Sequence, residues 1–262
     1  MVAQYFIWMG KLLRGNLGYS YFYQMPVAKM LSERVPLTIL VSLLTMIVSW
    51  LIAIPIGIYS ATHQYSPLDA VVTTFGFVGM ATPSFLLGIS LMFVFYSLFG
   101  YSTVGLFSAD YINAPWTLAK VGDLAKHLPV PLLIIGTAGT AGTIRVLRGC
   151  LLDELRKQYV VTVRTKGMGE TKLLFKHPVR IAMNPMVSTI GWSLAGVVSG
   201  ETIVSIVLNL PTTGPLLLDA LQKQDMELAG SIIMILSLLT IVGTFISDVL
   251  LVLVDPRIRF EK

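Results

Sequence analysis

The sequence has few charged residues: only 13% of its 262 residues are Asp, Glu, Lys or Arg. Soluble domains carry about 25%, so roughly half of the usual solvating charge is missing, and the mean hydropathy is +0.76. A single cysteine, Cys150, excludes a disulfide framework and a metal site of the CxxC type. The composition therefore excludes a soluble globular fold and a disulfide-stabilised secreted fold.

Motifs for enzymatic chemistry are also missing. The sequence contains no G-x-x-x-x-G-K-[ST] loop for ATP phosphates, no HExxH zinc motif and no G-x-S-x-G nucleophile elbow. The histidines His63, His127 and His177 lie far apart in the chain. We accordingly expect no catalytic residue, no cofactor and no metal ion.

What the sequence does contain is long apolar blocks. A bilayer core about 30 Å thick is crossed by about 20 apolar residues in a helix. Five blocks reach or approach that length: 37–59, 70–99, 129–147, 186–208 and 229–254. The sequence therefore predicts an all-α transmembrane helical bundle with five spans in this chain.

Basic residues orient the predicted spans. The segment 148–185 and the tail 255–262 together contain eleven Lys and Arg residues, whereas the loops of the opposite side contain seven. Cytoplasmic loops are enriched in Lys and Arg, so we expect this segment and the C-terminus to be cytoplasmic, in a multi-pass protein of the plasma (inner) membrane. The same bias explains the net charge of +5, and no nucleic-acid partner is expected.

In this orientation residues 1–36 form an external N-terminal segment. They carry four Lys and Arg residues and no signal sequence. Export of such a segment without an upstream helix opposes the charge rule. We therefore expect a further span upstream, which gives six spans in the full-length protein, with residues 37–254 as the transmembrane domain of this chain.

Helix-breaking residues lie inside the predicted spans. Pro55 and Pro83 remove backbone hydrogen bonds, and we interpret them as packing kinks, with a gating hinge as the alternative. Gly136, Gly139 and Gly142 recur every three residues, a spacing that lets two helix backbones approach closely. These glycines therefore predict helix packing and not a phosphate-binding loop.

Two acidic residues fall within the apolar blocks. A charge at the bilayer centre costs about 2.5–3.5 kcal/mol, so Glu201 and Asp248 should face a partner, an interface or a water-filled path. For Glu201 a structural role and a pathway role stay open, and for Asp248 a structural contact is favoured. Two isolated acids do not form a proton relay.

The cytoplasmic segment 150–185 is too long for a simple turn between two spans. Residues 156–166 have an amphipathic pattern compatible with a helix, Gly167-Met168-Gly169 interrupts it, and a helical pattern resumes from Glu170 to Lys176. The pattern predicts two short helices joined by a glycine turn. Such a pair can form a rigid knob that fits the groove of a partner; a solvated loop on anionic lipid is the alternative.

This segment also resembles a motif of a known family. It contains Tyr159-x-x-Thr162-x-Arg164-x-Lys166-Gly167, followed by His177-x-x-Arg180-x-Ala182-x-x-Pro185. The pattern is similar to the coupling loop of binding-protein-dependent ABC importer permeases, in the dipeptide, oligopeptide and nickel branch. Further likenesses follow in family order along nearly the whole chain, at residues 15–27, 33–38, 82–85, 200–202 and 255–259.

Two positions depart from the family pattern. The Glu-Ala-Ala of the family loop would fall at Val161-Thr162-Val163, and the Pro-Gly-x-Gly of the family appears as Pro211-Thr212-Thr213-Gly214. The second departure removes one flexible glycine from the expected outer gate.

The resemblance implies the type I ABC importer permease fold, with half of a translocation pathway for short peptides or nickel. It implies four kinds of partner: a second permease subunit in a heterodimer, two cytoplasmic ATPase subunits, an extracytoplasmic substrate-binding protein and the lipid bilayer. The implied ATPase-coupling residues are Tyr159, Thr162, Arg164, Lys166, Gly167, Glu170, His177, Arg180 and Pro185. The implied pathway or gate residues are Pro83, Ser84, Glu201, Pro211 and Gly214.

Three other functions compete with this one. A secondary transporter driven by an ion gradient predicts inverted repeats and polar groups at the membrane midplane, and the sequence shows no internal repeat. A membrane enzyme needs the catalytic clusters that are missing. A structural subunit without a pore fits poorly with the glycine and proline breaks inside the spans.

Overall fold

The structure is a computed structural model that describes residues 2–100, 104–112, 114–190 and 202–254. Its helices are α1 (Val2–Leu13), α2 (Val27–Thr62), α3 (Pro67–Ala81), α4 (Ser84–Phe99), α5 (Leu118–His127), α6 (Pro129–Leu155), α7 (Gln158–Thr165), α8 (Glu170–Lys176), α9 (Pro178–Ala182), α10 (Asn184–Ser188), α11 (Thr202–Val207), α12 (Thr213–Gln222) and α13 (Met226–Val254). A short antiparallel hairpin, β1 (Tyr19–Ser20) and β2 (Met25–Pro26), precedes α2, and a 3-10 turn covers Ala109–Tyr111. The described chain is therefore almost entirely helical.

Two helices are long and apolar enough to cross a membrane: α2, with 36 residues, and α13, with 29 residues. Two further spans are obtained if each of two bent helix pairs crosses the membrane once. These pairs are α3 with α4, and the two parts of α6, Pro129–Thr137 and Gly139–Leu155, which meet at 49°. The described residues thus contain two to four candidate spans, where the sequence predicted five. The predicted span 186–208 includes residues 191–201, which lie outside the described residues.

Helix α2 begins at Val27, within the segment 1–36 that was predicted to be external. The reason is an amphipathic first turn. Val27, Met30 and Leu31 are buried, at the spacing of one helix face, while Lys29 and Glu33 are exposed. The predicted boundary at residue 36 therefore falls inside a continuous helix.

The predicted span 70–99 is two helices and not one. Helix α3 ends at Ala81, and Thr82 takes an extended conformation with φ −80° and ψ 124°, as expected for a residue before proline. Helix α4 begins at Ser84, and the two helices meet at 105°. The break at Pro83 is therefore much sharper than the packing kink that the sequence predicted.

The chain divides into two compact units. The first unit comprises Met1–Leu43, Gly88–Pro131 and Leu194–Thr240, and the second comprises Leu44–Leu87, Leu132–Ser193 and Ile241–Lys262. A core cluster of the first unit consists of Val27, Met30, Leu31, Leu216, Ala220, Leu228, Ala229 and Ile232. A core cluster of the second consists of Ile58, Ala61, Leu147, Leu151, Val179, Ala182 and Met186.

In the first unit, the N-terminal segment is attached to the region around the start of α13. The Ser20 hydroxyl donates to Asp225 at 2.5 Å, and the Tyr23 hydroxyl donates to Asp219. The Ser231 hydroxyl donates to the carbonyl of Leu17 at 3.0 Å. These bonds connect residues about 200 positions apart in sequence, so the hairpin is an integral part of the first unit.

In the second unit, α2 and α6 pack closely at Gly136. A Cβ atom at this glycine would lie 3.1 Å from the Ser49 hydroxyl oxygen, and that hydroxyl donates to the Gly136 carbonyl at 3.4 Å. The predicted close helix packing is thus confirmed at Gly136. A Cβ atom at Gly139 or Gly142 would meet no described atom within 4 Å, so within the described chain these two glycines do not make the contact that their spacing predicted.

Candidate functional site

The segment predicted to couple to an ATPase begins with a hydrogen-bonded junction between α6 and α7. Glu154, in the last turn of α6, is buried and accepts a hydrogen bond of 2.7 Å from the Tyr159 hydroxyl. Its other carboxylate oxygen pairs with Lys157. The carboxylate is thus satisfied on both sides, and the start of α7 is fixed to the end of α6.

A glycine turn joins α7 to α8, as the sequence predicted. Gly167 has φ +79°, a left-handed conformation that glycine adopts at low cost. Its N–H donates to the carbonyl of Arg164 at 3.0 Å and so closes the end of α7. Gly169, with φ −60°, precedes α8 in an ordinary extended conformation. Of these two glycines, only Gly167 needs the conformational freedom of glycine.

The two short helices are held together by a two-point ion pair. The Arg164 guanidinium donates through Nε and Nη2 to the two carboxylate oxygens of Glu170, at 2.6 Å and 3.0 Å. These bonds hold the pKa of Glu170 below its usual range and raise the pKa of Arg164. Because the pKa of Glu170 is lowered, the pair is complete above the unfolded value of about 4.3 and is lost only as the pH falls through the lowered value.

The surface of this helix pair is basic with apolar patches. Val160 of α7 and Leu173 of α8 are buried on the inner side of the helix pair and anchor the two helices. Phe175 is 57% exposed and Val161 is 44% exposed. The exposed charged residues are Arg164, Lys166, Glu170, Lys172 and Lys176. We call the residues 158–176 the knob.

After the knob, the chain is hydrogen-bonded to the end of the long helix α13. Pro178 opens α9, and Arg180 donates from Nε to the carbonyl of Val254 at 2.5 Å and from Nη2 to the carbonyl of Leu253 at 3.2 Å. A cation at this position satisfies the unpaired carbonyls at the end of α13 and is favoured by the helix dipole. Arg180 therefore caps α13.

Helices α9 and α10 continue this attachment. Val179, Ala182 and Met186 belong to the core cluster that also contains residues of α2 and α6. The Ser247 hydroxyl of α13 donates to the carbonyl of Val187 at 2.6 Å, and Pro185 lies in the first turn of α10. The segment 158–188 is thus connected to α2, α6 and α13.

The remaining predicted coupling residues are present but make local contacts. The Thr162 hydroxyl donates to the carbonyl of Gln158, within its own helix. Lys166 is exposed at the end of α7. His177 separates α8 from α9, with φ −123° and ψ −76°. In the described part of the chain, no side-chain bond of these three residues reaches another long helix.

The predicted pathway residues belong to different units of the described structure. Pro83 and Ser84 lie at the break between α3 and α4, in the second unit, whereas Pro211 and Gly214 lie at the start of α12, in the first unit. Glu201 lies outside the described residues. Their grouping as a gate is therefore an expectation that the sequence alone provides.

Asp248, for which a structural contact was favoured, is exposed on α13. Its carboxylate is not among the described groups that make a hydrogen bond or an ion pair, whereas Ser247 beside it is buried and bonded. Among the described residues, the contact favoured for Asp248 is therefore not seen.

Sequence reasoning missed a buried ion pair in the second unit. Asp69, in the first turn of α3, is only 3% exposed. It accepts hydrogen bonds from Arg148 Nε at 3.0 Å and Nη2 at 2.9 Å, and others from the Ser60 hydroxyl and the Tyr65 N–H. One carboxylate thus connects α2, α3 and α6. The Ser66-Pro67-x-Asp69 pattern of a helix start and an arginine inside an apolar helix were the available signals.

A family model matches this chain over residues 53–260, which includes the whole coupling segment. The family is described as the binding-protein-dependent transport system inner membrane component. The chain belongs to this family.

Relatives of this inner membrane component are permeases. The oligopeptide transport system permease protein AppB of Bacillus subtilis (strain 168) is 32% identical over 259 residues, which cover 98% of this chain and 80% of that protein. The probable peptide ABC transporter permease protein y4tP of Sinorhizobium fredii is 31% identical, with coverage of 98% and 80%. The nickel import system permease protein NikB of Staphylococcus aureus is 26% identical, with coverage of 100% and 74%.

These findings establish the class of the protein. It is a helical membrane permease of the binding-protein-dependent importer branch, and it is a transport component and not an enzyme. An importer of this kind includes other subunits, such as a substrate-binding protein and an ATPase. The predicted resemblance is therefore confirmed.

Proposed function

We propose that this permease forms half of the translocation pathway of an ATP-driven importer of short peptides, and that its knob is the surface on which a cytoplasmic ATPase acts. The observation that supports the coupling role most is the double attachment of the segment. Tyr159 bonds the end of α6, and Arg180 caps the end of α13. Force on the exposed turn therefore reaches two long helices.

The knob can transmit force to the long helices only if it is stiff. The two-point Arg164–Glu170 pair bridges α7 and α8 at the exposed surface, and the buried Val160 and Leu173 anchor both helices in the interior. A partner that changes shape on binding ATP would move this knob as one body. The differential contacts of that partner with two arrangements of the spanning helices would then shift the equilibrium between them.

The chemistry of the knob indicates the kind of groove that receives it. Lys166, Lys172 and Lys176 are exposed on the same helix pair as an exposed phenylalanine, Phe175. An aromatic anchor that enters a pocket of the partner, with a polar rim around the interface, is typical of protein interfaces. The groove of the ATPase should therefore offer an apolar pocket with carboxylates at its rim.

The partners and the orientation are part of the same proposal. The protein pairs with a second, different permease chain above two ATPase subunits, and an external binding protein delivers the substrate. The segment 148–185 and the C-terminus are cytoplasmic, as their eleven Lys and Arg residues favour. Five spans cross the membrane in this chain.

The substrate pathway is assigned to the breaks in the helices. Pro83 and Ser84 lie at the 105° bend between α3 and α4, and Pro211 and Gly214 precede and begin α12. Bends of this kind expose backbone groups, which are tolerated in a membrane only where they face protein or water. We assign these four residues, with Glu201, to the pathway and its gate.

Short peptides are favoured as the substrate by the names of the relatives. AppB and y4tP, at 32% and 31% identity, are named for oligopeptide and peptide transport, and NikB, at 26%, is named for nickel import. Nickel is therefore the second candidate substrate.

The test is purification of the tagged protein from its native membrane in mild detergent, followed by mass spectrometry of the proteins that accompany it. We expect a second permease and an ATPase subunit, and ATP-dependent uptake of short peptides when the complex is placed in vesicles with its binding protein. Uptake of nickel but not peptide would correct the substrate alone. If the protein is purified without other subunits and transports substrate without ATP, the proposed function is refuted.

A further inference from the structure

Most side chains of helix α5 are in the reverse of the usual positions. Its polar residues Lys120, Asp123 and His127 are buried, with 5%, 8% and 5% of their surface exposed, and Leu124 is the one apolar residue buried beside them. Its apolar residues Leu118 and Val121 are 91% and 48% exposed. In a protein domain surrounded by water, the apolar face of a helix is the buried one. The reversed pattern therefore indicates that α5 does not face water.

The buried polar groups of α5 are satisfied inside the protein. Lys120 donates from Nζ to the carbonyls of Ala114 at 2.6 Å and Ile112 at 3.4 Å. Its ammonium also lies 4.9 Å and 5.2 Å from the ring centroids of Phe107 and Trp116, where the ring faces attract a cation. The Lys120 side chain is therefore bonded by groups of the protein.

The acidic residue of α5 is satisfied in the same way. Asp123 accepts hydrogen bonds from the backbone N–H of Ser108 at 2.7 Å and from its hydroxyl at 2.6 Å. The Nδ1 atom of His127 lies 2.9 Å from the carbonyl oxygen of Asp123. Polar groups that are bonded internally are what an apolar surrounding medium requires.

The outward face of α5 and the segment before it carries little that could specify a protein partner. The exposed residues of α5 are Leu118, Ala119, Val121, Gly122, Ala125 and Lys126. Trp116 and Ile112, just before the helix, are 61% and 60% exposed. Aliphatic residues with a tryptophan at one end and a lysine at the other are typical of a helix that lies in a membrane interface.

Helix α5 is also connected directly to a candidate membrane span in the sequence. It ends at His127, and α6, a candidate span, begins at Pro129, so a single residue separates them. The end of α5 at His127 therefore stays close to the start of α6. Along the chain, α5 leads directly into a candidate membrane-spanning helix.

We propose that α5 is an interfacial helix whose outward residues Leu118 and Val121, together with Trp116 just before the helix, contact the lipid acyl chains just below the headgroups. The assignment of this helix to the outer leaflet rests on the orientation proposed above. The helix fixes the depth of the loop between α4 and α6, and the bilayer is its partner.

The experiment attaches one nitroxide at a time to the assembled importer in vesicles of phosphatidylethanolamine and phosphatidylglycerol, in a Cys150→Ser background. Val121→Cys and Leu118→Cys place the label on the outward face of α5. Leu238→Cys, 51% exposed on the spanning helix α13, is the lipid control, and Gln222→Cys, exposed at the end of α12, is the water control. Each label is tested for collision with oxygen, which concentrates in lipid, and with a water-soluble nickel chelate.

We expect both α5 labels to shift from the water control toward the lipid control, with more oxygen collision and less nickel collision. Labels at both α5 positions that behave like Gln222→Cys would overturn lipid contact. Labels shielded from both reagents would overturn it in favour of a contact with another protein. Uptake by the same labelled complexes separates this proposal from the proposed function, because an active importer with aqueous α5 labels contradicts only the lipid contact.

Discussion

Replacing Asp69 with asparagine is expected to lower the free energy of unfolding by about 3 kcal/mol, at the lower end of the range for breaking a buried ion pair. The Asp69 carboxylate is 3% exposed and accepts two hydrogen bonds from Arg148. The substitution leaves the guanidinium without its counter-charge. The lower end applies because the Arg148 side chain is 25% exposed and can find other partners.

The measurement is denaturant-induced unfolding of the purified protein in detergent. Asp153→Asn is the matched control, because Asp153 is exposed on α6 and should change the stability by no more than about 0.5 kcal/mol. The double variant Asp69→Asn with Arg148→Met removes both charges. It should be more stable than the single Asp69 variant, because no unpaired charge remains. Equal stabilities for Asp69→Asn and Asp153→Asn would show that the pair does not hold α3 to α6.

Replacing Gly167 with valine is expected to uncouple ATP hydrolysis from uptake. The left-handed conformation of Gly167, φ +79°, costs a residue with a side chain about 1–2 kcal/mol. This cost lowers the equilibrium constant for forming the native turn by about tenfold. A distorted turn changes the angle between α7 and α8. Uptake per ATP hydrolysed should therefore fall by about tenfold in the assembled importer.

Two control variants separate the turn from the simple loss of a glycine. Gly167→Asn should retain most of the coupling, because asparagine tolerates the left-handed region. Gly169→Ala should also retain it, because Gly169 has φ −60° and a Cβ atom added there would meet no described atom within 4 Å. Normal uptake by the Gly167→Val protein would remove the coupling role from this turn.

The knob is the part of the structure that the sequence predicts best, because its determinants are local. An amphipathic run, a glycine turn and a second run lie within twenty residues, and the structure has α7, Gly167 and α8 in that order. Each of these signals acts through backbone conformation and short-range spacing.

The attachments of the knob could not be predicted from local patterns, because they join distant parts of the chain. Arg180 and Val254 are 74 residues apart, and Asp69 and Arg148 are 79 residues apart. No periodicity relates such positions. The family motif included Arg180, but not its role as a cap on α13, and nothing in the apolar pattern indicated Asp69.

Helix α5 was missed for a different reason. The stretch containing Asp110, Lys120, Asp123 and Lys126 is polar, and polar residues normally indicate an exposed loop. In the structure, Lys120 and Asp123 point inward and are bonded there. Composition therefore identifies the polar groups of this stretch but not the direction in which they point.

Photo-crosslinking from the knob, in membranes that contain the complete importer, is the decisive measurement for the coupling role. A benzophenone amino acid replaces Phe175, which is 57% exposed on α8, and in a matched control it replaces Phe245, which is 68% exposed on α13. We predict that Phe175 crosslinks to the ATPase subunit, that ATP alters the yield, and that Phe245 gives no such product. An importer that remains active while Phe175 crosslinks only to lipid would contradict the coupling role of the knob.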